Sequence, residues 1–111
     1  MAAETNKVNT VIHASEADFQ QKVLNANGSV LVDFYADWCG PCRAIGPVLE
    51  QLASEYPTAQ IVKVNVDDNP NLAAKYRIES IPALMVFQEG QVVNQHLGVA
   101  DKAELRALLG L

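Results

Sequence analysis

The chain reads as an α/β protein in which a central mixed, mostly parallel β-sheet is flanked by helices on both faces. Three observations carry that reading. Runs rich in β-branched residues alternate along the 111 residues with segments whose apolar side chains recur at helical spacing. Residues 30–36 (VLVDFYA) form an apolar run broken only by Asp33, the pattern of a strand covered on both faces. The last two strand-like runs are separated only by Glu89 and Gly90, which predicts an antiparallel hairpin at one edge.

A short β-branched run over residues 8–12 opens the series. Ser15 follows as a helix N-cap, with Asp18 three residues on, apolar Phe19, Val23 and Leu24, and Gly28 as the stop. Residues 30–36 are the central strand. Over residues 41–56, Ile45, Val48, Leu49, Leu52 and Tyr56 fall at helical spacing, while Pro47 inside the segment withdraws one backbone donor and predicts a kink. QIVKVNVD at 60–67 is a further strand, and DNPNLAAKY at 68–76 opens a short helix with Asn69 as cap and Pro70 at its first position. ALMVFQEGQVVNQHL at 83–97 supplies the hairpin. Asp101 and Glu104 form a capping pair ahead of Leu105, Leu108 and Leu109, so the order is β-α-β-α-β-α-β-β-α.

Half of the side chains are hydrophobic and 19% are charged, a balance that lets a chain of this size bury roughly 60–70% of its unfolded surface without covalent staples. Thirteen acidic and eight basic residues give a net charge of -5, and the basic ones are scattered from Lys7 to Arg106, which argues against a nucleic-acid partner. The N-terminal stretch has no basic region followed by an apolar core, and no apolar run approaches the ~20 residues of a membrane span. The expectation is one domain over residues 1–111, cytoplasmic, monomeric and without a membrane partner.

The only two cysteines, Cys39 and Cys42, stand three apart directly after the central strand. A bridge closing so short a loop removes little entropy from the unfolded chain, so stabilisation is a poor use of the pair. In a reducing compartment such cysteines are catalytic or metal-binding rather than structural. Residues three apart on a helix have Cβ atoms about 5–6 Å apart, against roughly 3.5–4.5 Å in a disulfide, so a small adjustment opens and closes the bridge. At the exposed strand–helix junction, free N–H groups and the positive end of the helix dipole favour a thiolate at Cys39, which marks it as the nucleophile. Cys42, one turn inside, is placed to attack second. Pro41 occupies a position whose N–H is unused anyway, and Gly40 lets another chain approach closely. Zinc or iron–sulfur ligation is the second reading of the same spacing; only His13 and His96 are available to complete a zinc set, and they lack the usual His-x(3–5)-His separation.

WCGPC at residues 38–42, preceded by VDF and followed about forty residues later by SIPA, resembles the thioredoxin family, and the element order agrees over residues 8–109. The resemblance implies the thioredoxin fold and a cytosolic protein-disulfide reductase in which Cys39 attacks a target disulfide and Cys42 resolves the mixed disulfide. It also implies that no cofactor is bound, that the partners are proteins carrying disulfides, and that a thioredoxin reductase, typically an NADPH-fed flavoprotein, restores the dithiol.

Asp33 amid apolar neighbours predicts a buried carboxyl whose pKa rises by desolvation, a solvent-facing strand residue being the plainer alternative, and the resemblance makes it the proton acceptor for Cys42, directly or through water. Lys63, between Val62 and Val64, is its expected electrostatic neighbour, with a solvated strand face as the alternative. Pro82 after Ile81 is by itself strand punctuation. In the family the matching proline is cis and faces the cysteines, leaving the Ile81 backbone to pair with a substrate strand. Trp38, Tyr35, Gly40, Pro41, Ile81 and Gly98 would then form a flat, mostly apolar patch around the pair, with Gly98 leaving room for substrate; Tyr35 and Trp38 as core aromatics is the plainer alternative. Tyr35 where many members carry a second tryptophan, and Ala83 where threonine is usual, are departures that bear on specificity and reduction potential. Two other roles share these features, a non-catalytic interaction module and a disulfide oxidase or isomerase of an exported compartment. The absence of a signal peptide and the Gly-Pro pair between the cysteines speak against the latter.

Overall fold

The computed structural model describes residues 11–111. Its elements run β1 (Ile12–His13), a single π-helical turn (Gln20–Leu24), β2 (Ser29–Tyr35), α1 (Gly40–Glu55), β3 (Gln60–Asn65), α2 (Pro70–Lys75), β4 (Ala83–Gln88), β5 (Gln91–Leu97) and α3 (Lys102–Leu109). This is the expected order. The expected strand at 8–12 is represented by Ile12–His13, and residues 8–10 lie outside the described part.

The five strands make one sheet in the order β1-β3-β2-β4-β5. β3 is parallel to both β1 and β2, whereas β4 runs antiparallel to β2 and β5 antiparallel to β4. The hairpin therefore does more than add an edge: β4 lies inside the sheet against β2, and of its two strands β5 alone is at an edge. Its turn uses left-handed backbone at both Glu89 (φ 51) and Gly90 (φ 82), the two-residue geometry that matches the twist of the flanking strands.

Alternation along the strands splits the core into two clusters. Val30, Val32 and Phe34 of β2 join Val62, Val64, Met85 and Phe87 under the π-turn and α2, where Phe19, Val23 and Leu72 are buried. Leu31 joins Ile61, Leu84 and Val86 on the opposite face, covered by Ile45, Leu49 and Leu52 of α1 and Leu105 of α3. Helices thus lie on both faces. Among the described residues no helix is long and apolar enough to cross a membrane.

Two local expectations come out differently. The segment after Ser15 opens as expected, with the Ser15 N–H donating to Asp18 Oδ1 at 2.7 Å and the Ala17 N–H donating to Ser15 Oγ at 3.3 Å, but it continues as a π-turn closed by the Asn25 N–H on the Gln20 carbonyl. Asn69 stands at the N-cap of α2 without capping it: its Oδ1 accepts from the Glu16 N–H at 2.9 Å and its Nδ2 donates to the Asn65 carbonyl. Glu16 takes over the capping role from 55 residues away, accepting the Asn71 N–H on Oε2 at 2.7 Å. The last helix follows its sequence signal: Asp101 and Glu104 form a reciprocal capping box, and Gly110 closes the helix in left-handed conformation.

Candidate active site

The site forms at the C-terminal ends of β2 and β3, where the parallel strands hand over to α1 and to the loop before α2. Cys39 is the N-cap of α1, in extended backbone conformation, and its Sγ accepts the Cys42 N–H at 3.1 Å. Pro41 falls in the first turn, where a missing N–H costs nothing. Cys39 and Cys42 are joined by a disulfide with Cα atoms 5.2 Å apart, so the structure is that of the oxidised chain. The pair packs on Ala36, with Tyr35, Val66 and Ile81 around it.

The sequence places Cys39 at an exposed junction, and here the structure corrects it. Cys39 is 4% exposed and Cys42 2%, so accessibility hardly separates them. Their surroundings do. Cys39 Sγ lies 3.8 Å from the Ile81 carbonyl, beside the cis Ile81–Pro82 peptide bond, whereas Cys42 borders a cavity of about 440 Å³ on the other side, together with Tyr35, Arg43, Gly46 and Lys63.

Around Cys39 the structure gathers several of the expected residues. The Gly98 N–H donates to the Pro82 carbonyl at 2.8 Å, joining the end of β5 to the segment before β4. Gly98 has φ +91 with open space where a Cβ would stand, so a side chain there would meet no neighbour yet be strained by the backbone. Trp38 is 69% exposed and is not a core aromatic; its Nε1 donates to Asp67 Oδ2 at 2.9 Å. Tyr35 belongs to the cavity on the Cys42 side rather than to the exposed patch. Asp67 was missed in the sequence, although its place just after β3 is where α/β sheets keep their sites, beyond the carboxyl ends of the strands. Arg43 was missed too; its guanidinium donates to the Asp37 carbonyl at 2.8 Å.

Asp33 is fully buried, opposite Lys63 of β3 and Leu84 of β4, and neither carboxyl oxygen has a hydrogen-bond partner among the described residues. Desolvation pushes its carboxyl up from 3.8 to about 6, and the positive charge of Lys63 offsets part of that rise. Lys63 is thus the electrostatic neighbour expected, yet it makes no hydrogen bond to Asp33; its ammonium stands over the Tyr35 ring, 4.4 Å from the centroid. The two histidines of the alternative zinc reading sit on β1 and β5, at opposite edges of the sheet, and among the described residues no three metal-ligating side chains converge.

The sequence that builds this cysteine pair at a helix N-terminus, beside a cis-proline and a buried carboxyl, is similar to those of known proteins. The thioredoxin family model matches residues 10–110. Thioredoxin from Pyropia yezoensis is 46% identical over 101 residues, covering 90% of this chain and 94% of that protein. Thioredoxin C-2 from Corynebacterium nephridii is 46% identical over 101 residues with the same coverage, and thioredoxin from Staphylococcus aureus is 48% identical over 100 residues, covering 89% and 94%. Likeness of this extent, carried through the segments that build the Cys39–Cys42 site, means that the chain belongs to the thioredoxin family and is a thiol-disulfide oxidoreductase.

Proposed function

We propose that the chain reduces disulfides of target proteins in the cytoplasm, with Cys39 as the entering nucleophile and Cys42 as the resolving thiol. The observation that carries this division is the N-cap position of Cys39, whose sulfur receives the Cys42 N–H at the positive end of a 16-residue helix. The Cys39 thiolate attacks one sulfur of the target disulfide and expels the other as a thiolate. The Cys42 thiol then loses its proton to the Asp33 carboxylate, directly or through water, and the resulting thiolate attacks Cys39 Sγ. The second target thiolate leaves and is protonated, and the chain ends with the Cys39–Cys42 disulfide. Two electrons have passed to the target. With its pKa near 6, Asp33 is ionised at neutral pH and able to take that proton.

Gly40 lets a target chain approach Cys39 closely and Pro41 fills the first turn of α1 where no N–H is needed, while Lys63 tempers the charge on Asp33. Trp38, Ile81, Pro82 and Gly98 receive the target, with the Ile81 backbone offered to an extended target segment. The reading further includes a single domain over residues 1–111 acting as a monomer, without a bound cofactor, and a thioredoxin reductase, an NADPH-dependent flavoprotein, that returns the disulfide to the dithiol.

Trapping from a cell extract tests the division of labour. Cys42→Ser keeps the nucleophile and lacks the resolver, so it accumulates mixed disulfides with target proteins that reductive elution releases. Cys39→Ser traps almost nothing. Equal trapping by the two variants, or more by Cys39→Ser, overturns the assignment.

A further inference from the structure

His13, Lys63 and Asp33 oppose one another in register across β1, β3 and β2, so three ionisable side chains stand in one row on the α1 face of the sheet. A lysine in such a row has an evident partner in a buried carboxyl, since an unpaired buried charge is costly. Yet both Asp33 oxygens are without a hydrogen-bond partner among the described residues, and the Lys63 ammonium lies 4.4 Å from the Tyr35 ring centroid, beside the cavity that Cys42 borders. Tyr35 is two residues beyond Asp33, on the same face of β2. Its ring has neighbours on both sides: Asn65 stands opposite it in register, and the His13 ring packs edge-on with centroids 6.2 Å apart. Burial raises the phenol above its ordinary pKa, so at neutral pH the ring is uncharged and presents its electron-rich face to the cation.

We propose that Tyr35 is a positioning residue for the exchange reaction: its ring holds the Lys63 ammonium at the cavity and off the Asp33 carboxyl, leaving that carboxyl without an ionic partner. The proposal deepens the reading of Asp33 as proton acceptor for Cys42 and rests on it. A carboxylate in a close ion pair is a weak base, whereas one with its cation held at a distance remains able to take a proton. The other groups near this row leave the role to Lys63. Arg43 is engaged with the Asp37 carbonyl, Cys42 is bonded to Cys39 in this form, and the β4 and α3 neighbours, Leu84 and Leu105, carry no charge.

The test is an NMR titration of the Asp33 carboxyl carbon in the oxidised protein, which reads the carboxyl whether or not the exchange mechanism is right. Removing the ring in Tyr35→Leu frees the ammonium to reach Asp33 and lowers the titration midpoint by about half a unit or more. Tyr35→Phe keeps the ring and titrates as the unmodified chain does. In a Lys63→Gln background Tyr35→Leu produces no downward shift, because the cation it would release is absent. An unchanged or raised midpoint in Tyr35→Leu, or a fall that persists with Gln at 63, overturns the proposal. Should Tyr35→Leu not fold, the unmodified protein still puts the proposal at risk: ring currents of Tyr35 move the Lys63 ε protons upfield of those of Lys102, and an unshifted Lys63 signal overturns it. Failure of the Cys42→Ser trap with a lowered midpoint in Tyr35→Leu would leave the positioning intact and remove only the catalytic reading above it.

Discussion

On one side of β2, Val30, Val32 and Phe34 meet the π-turn and α2; on the other, Leu31, Asp33 and Tyr35 alternate with them and look toward α1. The first side is closed by aromatic contacts, with Phe19, Phe87 and Tyr76 in edge or tilted pairs at 5.3 to 5.7 Å and Phe34 6.1 Å from Tyr76. The second begins as apolar at Leu31 and turns ionisable at Asp33, where the strand nears the cysteines. One backbone serves both, and the period of two keeps them apart. Both faces bury an apolar cluster, and the α1 face carries in addition, where the strand nears the cysteines, a group that opposes folding.

The comparison is broken most severely from the apolar side. Phe34→Ala removes a fully buried ring from the aromatic cluster and costs about 3–5 kcal/mol in denaturant unfolding, while the exchange rate per folded molecule stays close to the parent's. A loss of rate in the folded fraction comparable to the loss of stability would show that the two faces are not independent.

Asp33→Asn works in the opposite direction. The folded carboxyl titrates near 6 and the unfolded one near 3.8, so the folded state holds the proton more tightly. Below 3.8 both states are protonated and the shift has no stability cost; from 3.8 to 6 the unfolded chain releases a proton the folded one still holds, so stability falls, and above 6 the full cost of the buried charge is present. A gap of about two units corresponds to about 3 kcal/mol. The variant should therefore unfold at higher denaturant than the parent at pH 7, with the gap closing toward pH 4, and it should resolve mixed disulfides more slowly at pH 7. A constant gap across that window would separate the burial of Asp33 from its charge.

The smallest effect tests how the apolar face is sewn together. Glu16→Ala removes the acceptor that caps α2 through the Asn71 N–H and should cost about 1 kcal/mol in thermal or denaturant unfolding, with amide exchange quickened in α2 and unchanged in α1. Protection lost equally in both helices would mean that the bond matters to the whole fold rather than to α2.

Much of this arrangement is legible in the chain because the signals are local. Strand alternation, the Asp101–Glu104 box, the hairpin at Glu89-Gly90 and the two cysteines at a strand–helix boundary each depend on residues within a few positions of one another. Asp33 is legible for a different reason: a carboxylate amid six apolar neighbours is conspicuous wherever the strand lies. What escapes is settled by partners far away in the chain. Asn69 has the right residue type and place for a cap, but a backbone donor 53 residues distant claims its oxygen. Helical spacing over five residues does not separate a π-turn from an α-turn, because their periods diverge only over longer stretches. The exposed pose of Trp38 depends on Asp67, and the perch of Lys63 depends on a ring two strand positions past its register partner. Neither pairing leaves a trace in spacing.

The central place of β2 bears on the order in which the chain can be completed during synthesis. Its register partners extend to Gln88, opposite Ser29, so the hydrophobic run Ser29–Tyr35 gains its second neighbour only after β4 has emerged. At translation speeds of about 5–20 residues per second that wait lasts roughly three to ten seconds. For the first part of this interval β3 has not yet emerged, and afterwards β2 still carries an open edge on the side that β4 will cover, a template for pairing with a neighbouring polypeptide. The edge of β2 that β4 covers is therefore open to mispairing in a chain still being made and closed in the finished fold.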